Sequence, residues 1–198
     1  ILRRIPIILS SSAAQGSLMA EPNAISADRI SFTSLKNSQL PRVFCYYRKK
    51  LLNMKINISP SPNYSTKFRA KKYVKFLVIH YTGMQSEREC LKRLKNSKSE
   101  VSTHYLINRK GSIVKMVDEK NTAWHAGKSK WKNFTNLNDH SIGIELVNKG
   151  HQFGYESFSK KQISKLILLC KALIKKYKIK KTNILGHSDI APLRKKDP

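Results

Sequence analysis

Three short, mostly apolar segments each present one ionisable side chain, and they constrain the fold of this chain more than any other feature. His80 follows the run VKFLVI, Glu145 lies within SIGIELV, and His187 follows NILG. Short runs that are rich in β-branched residues and bounded by turn residues are typical of buried strands. Enzymes built on sheets place their chemistry near strand ends, so these three side chains are candidates for a functional site.

Two amphipathic segments between the strands are predicted to be helices. Ser86 and Glu89 form a capping-box pattern, which predicts that a short helix begins after Ser86. A longer helix is predicted after Ser159, whose hydroxyl can cap it while Gln162 reaches back. Its apolar face is predicted to contain Ile163, Leu166, Ile167, Cys170, Leu173, Ile174 and Tyr177. Lysines occupy much of the opposite face.

A hairpin completes the predicted set of elements. Residues 103–108 (THYLIN) and 112–117 (SIVKMV) flank a turn that contains Gly111, which is a signal for two antiparallel strands. Strands that alternate with helices along a chain indicate an α/β fold. We therefore expect a single α/β domain in which helices flank a central mixed β-sheet.

The first part of the chain differs from the rest. Residues 1–53 show no helical or strand period, so we expect a poorly ordered extension or a targeting segment. Residues 1–20 have the outline of an export signal, although their apolar stretch, IPIIL, is shorter than usual. The domain is predicted to occupy residues 54–198, because Met54 stands immediately before the first segment that looks like a domain.

Positive charge dominates the composition. The chain has 39 basic and 12 acidic residues and a net charge of +27, so nucleic acid, a membrane surface and a wall polymer are all considered as partners. The lysines on the polar face of the long helix account for much of this charge as a solvated surface. Since no recognition motif is present either, no nucleic-acid partner is expected. No apolar run approaches the roughly 20 residues of a membrane-spanning helix, which excludes a conventional transmembrane protein. The oligomeric state is left open.

Histidine and carboxylate are the available ligands for a metal ion. The chain has three widely spaced cysteines, which give neither a disulfide framework nor a cysteine-based zinc site: Cys45, Cys90 and Cys170. His80, His187 and Asp197 together provide two imidazoles and one carboxylate. With one position left for water, this is the ligand set of a hydrolytic zinc site. The alternative interpretation is that each histidine is a hydrogen-bonded structural residue.

Four longer motifs occur in an order known from one enzyme family. They are FLVIHYTG (76–83), STHYLINRKGSIVKMVDEKNTAWHAG (102–127), NDHSIGIELVN (138–148) and GHSDIAPLRKKDP (186–198). Together they resemble the type-2 N-acetylmuramoyl-L-alanine amidases, which include the AmpD-like amidases of bacteria. That family is similar to peptidoglycan recognition proteins and to bacteriophage amidase-lysozymes. The resemblance covers roughly residues 57–198 and implies a zinc site at the strand ends of the sheet.

The resemblance also implies roles for individual residues. His80, His187 and Asp197 are implied to bind one Zn²⁺ ion, Glu145 to be the general base, and Lys195 to stabilise the transition state. These residue types suit the hydrolysis of an amide. Zinc polarises the carbonyl and lowers the pKa of its bound water to roughly 7. A carboxylate can then transfer the proton, and a cation can stabilise the oxyanion.

The remaining histidines fall into different classes. His125 and its neighbour Trp124, in the motif AWHAG, match positions that the family uses to contact substrate. His104 lies in a predicted hairpin strand and is interpreted as structural. His140 and His151 lie in predicted loops and receive no assigned role.

The implied activity is hydrolysis of the amide between N-acetylmuramic acid and L-alanine, with peptidoglycan fragments or muropeptides as the binding partners. Family members usually continue past the DP dipeptide, whereas this sequence stops at Pro198, so the domain looks truncated at its C-terminus. The alternative is therefore a peptidoglycan-binding module that has lost catalysis. We expect a cytoplasmic location, or the periplasm or envelope if residues 1–20 act as an export signal.

Removal of residues 1–53 tests the predicted domain boundary. We expect a protein that begins at Met54 to fold with a free energy of unfolding within about 1 kcal/mol of the full chain, because the removed segment shows no periodic pattern that would pack on a core. Urea denaturation of both proteins, followed by circular dichroism, measures the difference. An insoluble or unfolded product would show that the domain begins earlier.

Overall fold

The elements of residues 54–198, the part of the chain that the computed structural model describes, follow the predicted alternation of strands and helices. Their strands are Ile56–Ile58 (β1), Tyr64–Ser65 (β2), Phe76–Tyr81 (β3), Tyr105–Ile107 (β4), Ile113–Lys115 (β5), Thr122–Ala123 (β6), Lys130–Trp131 (β7), Phe134–Thr135 (β8), Ser141–Leu146 (β9) and Ile184–Gly186 (β10). Their α-helices are Glu87–Leu94 (α1), Lys160–Tyr177 (α2) and His187–Ile190 (α3). The predictions for residues 1–53 lie outside the described residues, and the boundary at Met54 stays a prediction.

A mixed sheet of six strands, in the order β1-β5-β4-β9-β3-β10, forms the centre of residues 54–198. Strand β3 pairs in parallel with both β9 and β10, and β4 pairs in parallel with β9. The antiparallel pair β4 and β5 is the predicted hairpin, and Gly111 in its turn has φ of +83°, which glycine adopts without steric cost. The predicted α/β architecture with a mixed central sheet is confirmed.

Two apolar clusters pack on the face of the sheet that carries His80 and Glu145, because Val78 and Leu106 share that face in the register. One group of buried side chains joins the sheet to the segments around α3: Phe76, Val78, Ala126, Leu137, Leu185 and Ile190. A second group joins α1 to the hairpin: Cys90, Leu94, Leu106, Val114, Met116 and Val147. Full burial of one large apolar side chain contributes roughly 1.5 to 3 kcal/mol, so these clusters hold the strand ends in fixed positions.

The two predicted helix caps are present. The hydroxyl of Ser86 accepts from the backbone N–H of Glu89, and that of Ser159 accepts from the backbone N–H of Gln162. The side chain of Gln162, however, does not reach back to the cap. It is fully buried, and its Nε2 donates to the carbonyls of Ile107 and Val147, so it fastens α2 to the ends of β4 and β9.

The predicted apolar face of α2 is partly wrong. Ile163, Leu166, Cys170 and Leu173 are buried as expected, together with Leu168 and Leu169, which were not on the predicted face. Ile167, Ile174 and Tyr177 are only half-buried. The difference arises because spacing shows which residues share a stripe of the helix, whereas packing on the sheet decides how far burial extends to either side of that stripe. None of the helices within residues 54–198 combines the length and the apolar character needed to cross a bilayer.

Candidate functional site

Three predicted metal ligands lie together at one end of the sheet. The Nδ1 atoms of His80 and His187 are 2.9 Å apart, and the Oδ2 atom of Asp197 lies 3.3 Å from the first and 3.0 Å from the second. All three residues are buried. The three donor atoms therefore surround one point that a metal ion can occupy.

Different elements deliver these ligands. His80 lies near the carboxyl end of β3, and His187 is the first residue of α3, directly after β10, which is the parallel neighbour of β3. The main chain at Asp197 is also fixed, because its carbonyl accepts from the backbone N–H of Ser188 at 2.7 Å. The hydroxyl of Ser188 donates to the carbonyl of Pro198 at 3.3 Å. Asp197 is therefore held by the same helix that carries His187.

The spacing of the donor atoms fits a tetrahedral metal ion. Bonds of about 2.0 to 2.1 Å in a tetrahedral site place neighbouring ligand atoms about 3.3 Å apart. The observed separations of 2.9 to 3.3 Å are close to that value. Three protein ligands also leave a fourth position open, which distinguishes a catalytic site from a closed structural one.

The protonation states of the ligands suit metal binding. Burial lowers the pKa of His80 to about 4, so its imidazole is neutral at neutral pH. Burial would raise the pKa of Asp197, but its polar contacts with His187 and His80 outweigh burial and hold that pKa well below its usual range. A neutral imidazole and an ionised carboxylate are the forms that bind a metal ion.

Glu145 stands beside His80 in the sheet. The two residues are paired in the parallel register of β3 and β9, so their side chains emerge on the same face. The Oε2 atom of Glu145 is enclosed and has no hydrogen-bond partner among residues 54–198. Burial, reinforced by the charge of Asp197, raises the pKa of Glu145 to about 8, and the positive charge of Lys195 opposes this shift. A carboxyl group with an unpartnered oxygen and a pKa near neutrality can act as a general base.

Lys195 lies close enough to the site to act on it electrostatically. Its positive charge lowers the pKa of Glu145 and that of His80, although burial is the larger influence on both. The side chain is half-buried, and its backbone N–H donates to the carbonyl of Ala191 at 2.9 Å. The structure therefore brings together the five residues that the sequence analysis assigned to metal binding and catalysis.

The two predicted substrate contacts have different surroundings. Trp124 is half-buried and remains a candidate. The side chain of His125 lies behind His80, with its Nδ1 3.0 Å from His80 Nε2 and its Nε2 3.2 Å from Ser141 Oγ. Since both ring nitrogens face protein atoms and the residue is only 9% exposed, neither nitrogen is directed at a ligand. His104 is also buried, and its Nδ1 accepts from the backbone N–H of Gly143.

Two residues next to the site, Ser141 and Gly143, were not identified from the sequence. They alternate with Glu145 along β9, so all three lie on the face of the sheet that carries His80. The period of two in SIGIE is the signal that identifies them. Their small size was masked by the apolar residues Ile142 and Ile144, which dominate the pattern of this strand.

A pocket is lined in part by residues that neighbour the metal-ligand candidates in sequence. It has a volume of about 330 Å³ and is lined by Tyr81, Gly83, His151, Gln152 and Lys196. The hydroxyl of Tyr81 lies 2.6 Å from Nδ1 of His151, the loop histidine to which no role was assigned. Tyr81 and Lys196 are sequence neighbours of the two metal-ligand candidates on β3 and at the C-terminal end. Two of the five lining residues thus follow or precede a metal-ligand candidate directly in the sequence.

Comparison with known proteins connects this site to one enzyme family. The family model described as N-acetylmuramoyl-L-alanine amidase matches residues 70–198. N-acetylmuramoyl-L-alanine amidase AmiD of Escherichia coli is 44% identical over 137 residues, which cover 63% of this chain and 49% of AmiD. 1,6-Anhydro-N-acetylmuramyl-L-alanine amidase AmpD of Haemophilus influenzae is 42% identical over 99 residues, which cover 50% of this chain and 52% of AmpD.

A solved structure is similar over the same region. It is the complex of E. coli AmiD with anhydro-N-acetylmuramic acid-L-Ala-D-gamma-Glu-L-Lys, with a TM-score of 0.58 and 40% identity over 68% of this chain and 55% of the AmiD chain. The chain spans about half the length of the curated relatives that it matches. The resemblance inferred from the four motifs is confirmed.

The raised pKa of Glu145 predicts how pH changes the stability of the metal-free protein. The folded state holds this proton up to about pH 8, whereas the ordinary pKa of the side chain is 4.5, so the wild type loses stability as the pH rises between these values. Glu145→Gln carries no charge at any pH. We expect its free energy of unfolding, relative to wild type, to increase by about 4 kcal/mol between pH 4.5 and pH 8.

Urea denaturation in the presence of a metal chelator measures this difference. The histidines with lowered pKa values, among them His80, are common to both proteins and cancel in the comparison. The matched control is Glu89→Gln, the same substitution at an exposed glutamate in the first turn of α1. Parallel profiles for wild type and Glu145→Gln would show that Glu145 ionises normally.

Proposed function

The chain belongs to the N-acetylmuramoyl-L-alanine amidase family, and on this premise we propose that it is a zinc-dependent hydrolase. Its proposed reaction is cleavage of the amide between N-acetylmuramic acid and L-alanine in peptidoglycan or in anhydromuropeptides. One observation carries the proposal: an open set of three ligands, His80, His187 and Asp197, lies beside the unpartnered carboxyl oxygen of Glu145.

The ligand set favours zinc over other divalent ions. Two imidazole nitrogens and one carboxylate oxygen form a borderline donor set, whereas magnesium and calcium take mainly oxygen ligands. His80, His187 and Asp197 would hold the ion. When bound, zinc supplies Lewis acidity at the scissile carbonyl and lowers the pKa of water.

Glu145 and Lys195 perform the proton transfer and the charge stabilisation. Glu145 accepts a proton from the attacking water and then delivers it to the departing nitrogen of L-alanine. Its enclosed Oε2 has no competing hydrogen bond among residues 54–198, which leaves that oxygen available for the water. The ammonium group of Lys195 stabilises the oxyanion of the tetrahedral intermediate, a contribution of about 2.7 to 4 kcal/mol for one donor in other acyl-transfer sites.

The pocket and Trp124 are the proposed substrate contacts. The AmiD and AmpD relatives are named for amidases that act on muramyl-L-alanine bonds, and the AmiD structure contains an anhydromuropeptide. A muropeptide keeps carboxylates only in its peptide part, because the lactyl carboxyl is consumed in the amide. The ammonium group of Lys196, in the pocket wall, therefore favours the peptide part as the occupant of this pocket. A cytoplasmic location, for recycling of such fragments, stays a prediction.

Metal binding provides the first test of this function. We expect the protein to bind about one zinc ion per chain, and His80→Ala or His187→Ala to abolish tight binding, because two remaining ligands compete poorly with water. Metal analysis after gel filtration measures the stoichiometry. His151→Ala, which removes an imidazole outside the ligand set, should retain zinc. Stoichiometric zinc in both ligand variants would show that other residues bind it.

Two further substitutions test the roles outside the metal shell. Glu145→Gln keeps the size of the side chain but cannot accept the proton, so turnover should fall by roughly 10² or more while zinc stays bound. Lys195→Met should also retain zinc and lower kcat by roughly 10² to 10³, with a smaller change in KM, because its charge acts on the oxyanion. Release of L-alanine-headed peptides from muropeptides measures turnover on samples of known zinc content.

The controls separate these roles from general effects of charge. Lys110→Met, an exposed lysine in the hairpin turn, should leave turnover unchanged. If Glu145→Gln or Lys195→Met loses zinc, that residue supports the metal rather than the reaction. If the wild-type protein binds zinc and muropeptide but releases no peptide, the chain is the peptidoglycan-binding module that was the alternative.

A further inference from the structure

We propose that His125 and Ser141 form a hydrogen-bond chain that holds His80 in the tautomer whose Nδ1 is free to bind a metal ion. His125 is then a positioning residue for the metal site and not a substrate contact. The inference rests on the proposed function only in that it needs a metal ion at His80. It assigns a structural purpose to the histidine of AWHAG and to the serine that begins β9.

The hydrogen-bond chain consists of three successive contacts inside the protein. His80 Nε2 lies 3.0 Å from His125 Nδ1, and His125 Nε2 lies 3.2 Å from Ser141 Oγ. The Ser141 hydroxyl in turn donates to the carbonyl of Leu137 at 2.5 Å. His80 and Ser141 are at most 1% exposed and His125 is 9% exposed, so competition from water is small.

The direction of each hydrogen bond follows from the last contact of the series, which joins the Ser141 hydroxyl to the carbonyl of Leu137. A carbonyl oxygen can only accept, so the Ser141 hydroxyl donates to Leu137. The Ser141 oxygen therefore accepts the Nε2–H of His125, which leaves Nδ1 of the neutral His125 ring without a proton. That nitrogen accepts the Nε2–H of His80. The neutral ring of His80 then has a bare Nδ1, which is the atom that faces the other two ligands.

Two protons, or none, between His80 Nε2 and His125 Nδ1 would be energetically unfavourable. A proton on both His125 Nδ1 and His80 Nε2 would place two N–H groups face to face across 3.0 Å. A proton on neither would leave two lone pairs in contact and an unpaired donor elsewhere. Buried polar groups without a partner cost about 1 to 3 kcal/mol each, so the arrangement with one proton between the rings is strongly favoured.

The backbone provides a fitted space for the ring of His125. A Cβ atom at Gly143 would lie 2.4 Å from Cγ of His125, so the ring packs directly on the main chain of β9. The backbone N–H groups of His125 and Ala126 both donate to Oδ1 of Asn138, at 3.0 and 2.7 Å. The ring can therefore neither move toward the sheet nor rotate away with its backbone.

The second histidine ligand is oriented by the same segment. His187 Nε2 lies 3.1 Å from the carbonyl of Ala126, which can only accept, so this nitrogen carries the proton and Nδ1 is bare. The carbonyl of Ala126 therefore fixes the tautomer of His187, as the hydrogen-bond chain through His125 fixes the tautomer of His80. Partners of this kind fix the ring orientation of metal ligands, and their loss typically costs 10-fold to 100-fold in metal affinity.

The test measures zinc affinity and the tautomer of His80 directly. His125→Phe keeps an aromatic ring but removes the acceptor, and His125→Asn restores an oxygen close to the position of Nδ1. We expect the dissociation constant for zinc, measured by competition with a chromophoric chelator, to rise roughly 10-fold to 100-fold in His125→Phe and to recover partly in His125→Asn. Ser141→Ala should weaken binding less, because it leaves the His80 to His125 contact in place.

Nitrogen-15 NMR of the zinc-loaded proteins reports the tautomer without relying on activity. We expect the proton of His80 on Nε2 in wild type, and a mixture of tautomers in His125→Phe. The matched control is Ser102→Ala. Ser102 is a similarly buried serine whose oxygen accepts from the backbone N–H of Trp124, and it is not part of the hydrogen-bond chain. It should change neither zinc affinity nor the tautomer of His80.

The outcomes separate this inference from the proposed function. A wild-type His80 with its proton on Nδ1, or undiminished zinc affinity in a folded His125→Phe protein, would overturn the inference. If His125→Phe does not fold, the tautomer in wild type and the zinc affinity of Ser141→Ala decide the matter. A protein that binds zinc with the expected dependence on His125 but does not hydrolyse muropeptides would contradict the proposed function alone.

Discussion

The parallel pairing of β3 with β9 is the constraint on which the site depends. Its register sets His80 opposite Glu145 and Val78 opposite Gly143. A shift by one residue would move either side chain to the opposite face of the sheet, because side chains alternate along a strand. The register is fixed in turn by the apolar residues on both faces, since slippage would expose them. A ligand and a base are thus placed side by side by the hydrophobic core.

Burial shifts the pKa values of this site, and it also requires that the polar atoms of the site have hydrogen-bond partners. The same low exposure that keeps His80 neutral raises the pKa of Glu145 to about 8. Polar atoms in such surroundings need defined partners, and the structure supplies them from carbonyls and from one serine. The enclosed oxygen of Glu145 is an exception, and it lies where the proposed reaction needs a proton acceptor.

The sequence was sufficient for those features that depend on local pattern. The strands that carry His80, Glu145 and His187 were predicted from short apolar runs, and the caps at Ser86 and Ser159 from a spacing of three residues. These signals arise within a single element, so they can be recognised in the sequence without knowledge of the fold. The choice of Lys195 and the catalytic role of Glu145 came from the resemblance, and the structure brings the five candidate residues together.

Long-range contacts were beyond the reach of such patterns. Gln162 fastens α2 to carbonyls on two strands, and His125 lies behind His80, 45 residues away in sequence. Neither partner can be read from neighbouring residues, because the contact exists only once the sheet has formed. For the same reason the apolar face of α2 was misjudged at Leu169, which is buried by packing and not by any stronger periodic signal.

Gly143 illustrates how a residue without functional groups can be as restricted as a ligand. The ring of His125 occupies the volume that any side chain at this position would need. Addition of one methyl group here would displace the imidazole and, through it, the donor atom of His80. A scan of all single substitutions would therefore find a sharply intolerant site in the middle of β9, at a residue that touches neither substrate nor metal. Positions in this fold that are sensitive to substitution therefore include residues that hold the reacting groups in place, as well as the reacting groups themselves.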